Sequence, residues 1–449
     1  MKRKFIIQSE LENNFNHYSH EIDFSSIAEW MACGFFLGNN DFTKTKFGSK
    51  TTYSLESNWY YAPRDLTFNQ ASDEFSEIFE RLIKEKIKNR KIILPLSGGL
   101  DSRTLAAALR NEKNLVSYSY EFVGGIRETD YAKQISNSMG WEFYKFYIEK
   151  GYLWNKIDEL ADINLCQSDF THPRQMAVIN KIAELGNLIL SGQWGDVLFD
   201  LPRIRKNTSI DELSYIVINK ITKLGGLELA NRLWEEWGLS NKFEEMLFGH
   251  IQKLLLEINI DNPSRRLQAF KSLHWAVRWA NPNLKIFNNS CELFSPYYQD
   301  KMCDFICTIP DKYLMNRKMQ INYLKNKAPN LSEIPWQVYD LNLYNYKYFN
   351  SIYLPRRIFR FLKRQVKEHI LFQSPVIQRN WELQFLGKKN EDKLRYWLFE
   401  TKNLNNIVSK NLVNEFYNKF QNHDRVKYSH PISMLLTLSV WCEKFWKKR

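Results

Sequence analysis

The feature that most constrains the fold is a serine- and glycine-rich turn, Leu96-Ser97-Gly98-Gly99-Leu100-Asp101-Ser102. A short apolar run at 92–96 leads into the turn, and an alanine- and leucine-rich helix is predicted at 104–110. Further strands are predicted at 115–122, near 141–148 and at 188–190, with helices at about 128–139 and 175–185. This alternation predicts an α/β fold, a parallel twisted sheet with helices on both faces.

A chain of 449 residues is long enough for two or three domains. Residues 1–70 are rich in Asn, Phe, Tyr and Thr, and we interpret them as a small β-rich piece. Residues 71–340 contain the alternating pattern and form the predicted central domain. Helical periodicity dominates beyond about 205, so residues 341–449 are predicted to be a basic, helical C-terminal extension.

Composition excludes several classes of protein. With 44% hydrophobic and 25% charged residues, the chain is typical of globular proteins and not of disordered or collagen-like ones. No apolar run reaches the roughly 18 residues of a membrane span, and the apolar stretch after the basic start is too short for a secretory signal. The six cysteines have no CxxC spacing, so we expect reduced core residues and a cytoplasmic protein.

The net charge of +13 lies entirely in residues 341–449, which contain 21 Lys and Arg against 8 Asp and Glu. A basic tract with many aromatic residues can bind RNA, an acidic glycan, a peptide or anionic lipid. Helices with a cationic solvent face would have the same composition. We do not expect a nucleic-acid partner, and the sequence leaves the oligomeric state open.

The turn after the first strand has the chemistry of an anion site. Glycines allow a tight turn close to a ligand, while serine hydroxyls and the amides at a helix start donate hydrogen bonds to phosphate. The segment fits neither the Walker loop nor the dinucleotide fingerprint. An acidic residue beside bound phosphates requires a cation between them, so Asp101 predicts Mg²⁺.

The same turn resembles the pyrophosphate loop of the N-type ATP pyrophosphatases. A second segment, Leu190-Ser191-Gly192-Gln193-Trp194-Gly195-Asp196, resembles the second signature of the asparagine synthetase C-terminal domain. Further segments resemble this family in the expected order, namely Glu128-Thr129-Asp130-Tyr131-Ala132, residues 290–300, and Arg317-Lys318. The β-lactam synthetases and lasso-peptide cyclases are similar relatives. The resemblance covers residues 71 to about 330.

The resemblance implies ATP and Mg²⁺ as cofactors and assigns roles residue by residue. The pyrophosphate part of ATP would be held by Ser97, Gly98, Gly99 and Ser102, with Leu96 and Gly192 beside it. Asp101 and Asp196 would ligate Mg²⁺, and Ser119 and Tyr120 would lie near adenine. Lys318 would stabilise developing negative charge, although a solvated lysine on a basic helix is the alternative.

The implied reaction is adenylation of a carboxylate, with release of pyrophosphate, followed by transfer of the acyl group to an amine and release of AMP. The substrate would be aspartate, a uronic-acid sugar or a peptide closed by its own amine. Two alternatives remain, a tRNA-modifying ATP pyrophosphatase and a non-catalytic ATP-binding relative.

Two departures from the family matter. The second residue is Lys2 where glutamine-dependent members carry cysteine, and about 70 residues cannot hold a glutaminase domain, so we read the N-terminal piece as truncated. The amine would then be free ammonia, ammonia from a separate delivery protein, or part of the substrate.

The second departure is Gln193, at a position where relatives carry glutamate or tyrosine. An amide cannot accept a proton at neutral pH, so a general base is missing there. His172 is a candidate base, and an ordinary loop histidine is the alternative. Arg174 is a candidate ligand for a substrate carboxylate or a plain surface residue.

Overall fold

A five-stranded parallel sheet forms the centre of the computed structural model, which describes residues 18–45, 59–125, 129–348 and 377–446. Two short N-terminal strands, β1 (Tyr18–Ile22) and β2 (Thr43–Thr45), form a separate antiparallel pair. The central sheet contains β3 (Ile92–Pro95), β4 (Leu115–Phe122), β5 (Glu142–Ile148), β6 (Leu188–Leu190) and β7 (Glu292–Phe294). The four strands expected from sequence are therefore confirmed, and β7 is an addition.

The strand order in the sheet is β5-β4-β3-β6-β7, and the side on which the chain adds new strands changes at β3. The chain adds β4 and β5 on one side of β3 and then returns to place β6 on the other side. In open parallel sheets, ligands bind beyond the carboxyl ends of strands at such a switch point, because the loops there diverge and leave a crevice. The fold therefore places the loops after β3 and β6 on the two sides of one crevice.

Helices flank the sheet and account for most of the rest of the described chain. Those used below are α1 (Phe24–Cys33), α2 (Phe68–Ile87), α3 (Leu100–Ala108), α4 (Gly226–Glu236), α5 (Phe243–Leu256), α6 (Lys318–Lys327) and α7 (Arg425–Lys444). The other helices of eight or more residues are Thr129–Met139, Leu153–Asn164, Ile210–Ile221, Pro263–Phe270, Asn281–Asn288, Asp300–Thr308, Lys388–Arg395 and Lys410–Asn422. A π-helix, Lys271–Ala280, continues from Pro263–Phe270.

The N-terminal region differs from the β-rich expectation because its longest apolar segment is helical. Helix α1 begins at the N-cap Asp23, whose carboxylate accepts a hydrogen bond from Ser26 N at 3.0 Å. The helix is almost wholly buried and packs against α4. A short, largely apolar run does not by itself distinguish a buried helix from a buried strand, which explains the difference.

Helix α7 joins the C-terminal region to this N-terminal helix. The ring of Phe42, which follows α1, stacks on Trp441 with centroids 4.4 Å apart, and His430 Nε2 lies 2.9 Å from the carbonyl of Met31. All six cysteines are buried and unpaired, as expected. Among the described residues, no helix has both the length and the apolar character of a membrane span.

Helix α1 ends at Gly34, which has a left-handed φ of +81° and donates its amide to the Trp30 carbonyl at 2.7 Å. We predict that Gly34→Ala lowers the free energy of unfolding by about 1–2 kcal/mol, because an L-residue is strained in this conformation. Denaturant unfolding monitored by circular dichroism measures the change.

Gly249 provides the matched control because it lies inside α5, and an added Cβ there meets nothing within 4 Å. Gly249→Ala should raise the free energy of unfolding by up to about 1 kcal/mol, since alanine favours the helix interior. Equal losses in both variants would contradict the assignment of Gly34 as a helix-ending residue.

Candidate active site

A cavity of about 630 Å³ lies at the crevice between β3 and β6. Most of the residues that the sequence placed in the site line it, namely Leu96, Ser97, Asp101, Ser102, Ser119, Tyr120, His172, Gly192, Gln193 and Asp196. Three others do not line it, namely Gly98, Gly99 and Lys318. The segments 96–102 and 190–196, which are about 90 residues apart in sequence, thus meet at one site.

The loop after β3 is held in shape by its own serines. Ser97 N donates to Ser102 Oγ at 3.1 Å, and Gly99 N donates to Ser97 Oγ at 3.2 Å. Helix α3 begins directly after Gly99 and has no side-chain cap, so amides of its first turn remain available as donors. The helix starts four residues earlier than predicted, which places Asp101 and Ser102 in that first turn.

Glycines shape both loops even where they do not line the cavity. A Cβ on Gly98 would lie 2.6 Å from the Cβ of Gln337, and a Cβ on Gly192 would lie 3.0 Å from Ser102 N. At Gly195 the gap is smaller still, since a Cβ would lie 2.3 Å from Asp101 Oδ1. The loop after β6 therefore approaches Asp101 only because these positions lack side chains.

Asp101 is the electrostatic centre of the site. Its Oδ1 contacts the guanidinium of Arg317 and accepts a hydrogen bond from Gln320 Nε2 at 3.0 Å, whereas its Oδ2 has no hydrogen-bond partner among the described residues. Burial raises the pKa of Asp101 to about 6; Arg317 opposes this rise and Asp196 adds to it. Two carboxylates thus repel each other across a partly desolvated space.

Arg317, and not Lys318, is the cation that contacts Asp101. Asn316 and Arg317 both adopt left-handed φ angles, 57° and 58°, just before α6. This turn aims Arg317 at Asp101 and leaves Lys318 Nζ over the ring of Phe68, 4.3 Å from its centroid. Lys318 does not line the cavity in this structure, because the two left-handed residues turn the chain before it in a way that sequence does not reveal, and its role in stabilising negative charge stays a prediction.

Lys271 lines the cavity, and sequence reasoning missed it. It is the first residue of the π-helix Lys271–Ala280. Burial lowers the pKa of Lys271; Lys220 adds to this effect, and Asp196 and Asp200 oppose it. Lys271 is thus a cation close to the second carboxylate of the site.

One series of residues spaced by four lines a single wall of the cavity: Lys271, Trp275, Trp279, Asn283 and Phe287. The i→i+5 bonding of a π-helix widens its turn, so residues four apart stay near one face, and such helices are frequent at functional sites. This alignment applies to Lys271, Trp275 and Trp279, while Asn283 and Phe287 lie on the α-helix Asn281–Asn288 that continues the π-helix.

His172 packs against this wall, with its ring centroid 4.2 Å from that of Trp279. Burial lowers the pKa of His172 to about 4; Arg174 and Lys223 add to this effect, and Asp169 opposes it. His172 is therefore neutral at physiological pH and a weak base. Gln193 and Arg174 also line the cavity, and Gln193 N donates to Ser191 Oγ at 3.1 Å.

The wall formed by β4 has a polar group without a partner. Ser119 and Tyr120 line the cavity together with Tyr118, whose buried hydroxyl makes no hydrogen bond among the described residues. A buried hydroxyl without a partner costs free energy unless a ligand or water satisfies it. This wall therefore suits a ligand with a polar edge.

The raised pKa of Asp101 makes a stability prediction. Its unfolded-state value is close to 3.8, so the folded protein binds the extra proton between about pH 4 and 6 and loses stability as the pH rises through that window. Asp101→Asn should therefore be more stable than the wild type at pH 7.5, by about 1–2 kcal/mol, and the difference should shrink towards pH 4. Chemical unfolding over this pH range measures it, with the exposed Asp73→Asn as control.

One comparison with known proteins identifies the family of this chain. The family model described as asparagine synthase matches residues 80–443, across the boundary that we placed at 340 from sequence. No curated protein matches the chain. The match covers well over half of the sequence and contains both loops of the cavity. The chain belongs to the asparagine synthase family, a family of ATP-dependent, amide-forming synthetases.

Proposed function

We propose that this protein is a ligase that adenylates a substrate carboxylate with ATP and passes the acyl group to an amine. The observation that carries the proposal is the meeting of the loops after β3 and β6, which brings Asp101 and Asp196 to one cavity that Lys271 also lines. Family membership supports ATP-dependent amide formation, while the adenylate and the AMP and pyrophosphate products are our proposal.

The nucleotide fits the donors of the first loop. Ser97 and Ser102 have hydroxyls at the cavity, and the start of α3 supplies backbone amides and the positive end of a helix dipole. Ser119 and Tyr120 then lie on the wall proposed for adenosine, beside the unpartnered hydroxyl of Tyr118. The phosphates would thus lie over the loop and the base against β4.

Asp101 and Asp196 fit a magnesium ion held together with ATP. The free Oδ2 of Asp101 is available, and a cation would offset the repulsion between the carboxylates. Two carboxylates supply only part of the coordination of Mg²⁺, so phosphate oxygens and water would supply the other ligands. Bound there, Mg²⁺ would neutralise charge on the transferring phosphates.

The reaction forms and breaks bonds in two stages. An oxygen of the substrate carboxylate attacks the α-phosphorus, the bond from that phosphorus to the bridging oxygen breaks, and pyrophosphate leaves. The amine then attacks the acyl carbon, AMP leaves, and the amine loses a proton. Lys271 stabilises the added negative charge as a fixed cation, and Arg317 acts through Asp101 as a positioning residue.

Neither Gln193 nor His172 is a strong acceptor for the proton that the amine loses. Gln193 cannot accept a proton, and the pKa of His172 near 4 makes it available as an acceptor but with little driving force. We propose that the amine arrives neutral and that His172 provides a hydrogen bond and not a strong base.

The aromatic wall of the cavity favours some of the three candidate carboxylate substrates over others. Trp275, Trp279 and Phe287 give a face that suits a sugar ring or an apolar side chain better than free aspartate. A uronic-acid sugar and a peptide closed by its own amine are therefore preferred. For a uronic-acid sugar, the nucleophile would be free ammonia or ammonia from a separate delivery protein. The proposed use of ATP and six unpaired cysteines support a cytoplasmic location.

The tRNA-modifying alternative gains no support from the described residues. The most basic part of the C-terminal tract falls within residues 349–376, outside the residues that the structure describes. A non-catalytic ATP-binding relative is tested by the experiment below.

The decisive experiment measures AMP and pyrophosphate release by the purified chain with Mg-ATP, ammonium and a small-molecule cell extract. We expect release by the wild type and none by Asp101→Asn. Lys271→Met should reduce the rate about 100-fold, the usual scale for loss of a charge-stabilising group. Lys318→Met, the matched control, should stay within about threefold because Lys318 lies over Phe68.

The outcome that contradicts the assignment of the lysines is a large loss in Lys318→Met with a small loss in Lys271→Met. ATP binding without AMP release in any extract fraction would instead support the non-catalytic alternative.

Nucleotide binding should also depend on pH through Asp101. Below about pH 6 its carboxylate becomes protonated and loses the charge that holds Mg²⁺, so affinity for Mg-α,β-methylene-ATP should weaken about tenfold per pH unit. Isothermal titration calorimetry between pH 5 and 8 measures this. The Asp101→Asn variant, measured in parallel, corrects for protonation of the nucleotide itself. The higher affinity of the wild type compared with this variant should disappear towards pH 5. An advantage unchanged at pH 5 would contradict the role of Asp101.

A further inference from the structure

A second cavity of about 500 Å³ adjoins the first one. The two share His172 and Arg174, which therefore form a common wall. The second cavity opens between the loop that contains these residues, the segment after the helix Ile210–Ile221, and the N-terminal part of α7. None of the residues proposed above for ATP lies in it.

Three cations face this second cavity: Arg174, Lys223 and Arg379. None of them lies within 4.0 Å of a carboxylate among the described residues; Arg174 lies over the ring of Phe122 and Lys223 over that of Trp275. Arg379 is exposed to solvent. Arg379 attracts the nearby carboxylate of Glu382, so its charge is partly balanced. The charge that remains on the three cations produces repulsion, which a bound anion would relieve.

The one acidic residue of the lining, Asp169, offsets one of these three positive charges. Asp169 Oδ1 accepts hydrogen bonds from Thr171 N at 3.0 Å, from Thr171 Oγ1 at 2.7 Å and from Ser433 Oγ at 3.2 Å. The lining histidines, His172 and His430, add no charge because burial lowers the pKa of each to about 4. Fixed side chains thus give this cavity a positive charge at neutral pH.

Trp275 connects the two cavities. Its ring lies 5.8 Å from Lys223 Nζ, which lines the second cavity, and 5.8 Å from Lys271 Nζ, which lines the first. The outer side of the second cavity has apolar residues, with Leu224 66% exposed and Val426 42% exposed. A molecule could therefore present one end to the nucleotide and its other end to the cations.

We propose that the second cavity binds an anionic group, a phosphate or a carboxylate, on the far end of the substrate whose carboxylate is activated in the first cavity. This inference rests on the ligase function proposed above. It deepens that function by naming a substrate with two acidic groups, one in each cavity.

The test measures anion binding to the full chain by isothermal titration calorimetry, with the first cavity filled by Mg-α,β-methylene-ATP. The probes are inorganic phosphate and tricarballylate, which separate the two sources of the negative charge. At least one probe should bind and should bind more weakly at higher salt, since the cations are partly exposed. Binding by neither probe would overturn the proposal.

Two variants locate the bound anion. Arg379→Gln, at an exposed position, should weaken binding severalfold without affecting the fold, and Lys223→Gln combined with Arg379→Gln should weaken it at least tenfold. Lys84→Gln combined with Lys88→Gln removes two exposed lysines outside both cavities and should leave binding unchanged. Equal binding by all variants would overturn the proposal.

These measurements do not require turnover, so they separate this inference from the proposed function. Anion binding at this place together with absence of AMP release would contradict the ligase and retain the site. AMP release with no anion binding would retain the ligase and overturn the site.

Discussion

The site depends on the close approach of two loops that meet only because glycine occupies the contact points. A Cβ at Gly195 would fall 2.3 Å from Asp101 Oδ1, and one at Gly192 would fall 3.0 Å from the amide of Ser102. The parallel sheet brings the loops to the same edge, but the missing side chains let them touch. The cavity, its two carboxylates and the wall opposite them all follow from this contact.

Sequence reasoning recovered this contact because each loop follows a strand with a recognisable apolar run. It failed where local conformation departs from the common helix and strand. It assigned no role to Arg317, which contacts Asp101 because two left-handed residues turn the chain. It also missed Lys271, which the π-helix places at the cavity. β7 begins with the exposed Glu292 and so lacks the apolar run that marks β6, and the largely apolar sequence of α1 does not distinguish a buried helix from a buried strand.

Burying charged side chains in the site lowers the stability of the folded protein. Asp101 stays in a place that disfavours its charged form, and Arg317 and Gln320 offset only part of that penalty. Lys271 has the opposite problem near Asp196, since burial disfavours its cation. Such groups destabilise the unliganded protein, and a charged ligand that brings its own cation would restore the balance.

The contact between α1 and α7 has a consequence for how this chain can be divided. His430 contacts the carbonyl of Met31, and Trp441 stacks on Phe42. The residues of each pair are some four hundred positions apart in sequence, so the N-terminal and C-terminal regions pack into one core. Removing either end would uncover apolar surface on the other. The central α/β region is therefore unsuited to excision as a minimal enzyme, and during synthesis this part of the core can close only after α7 has left the ribosome.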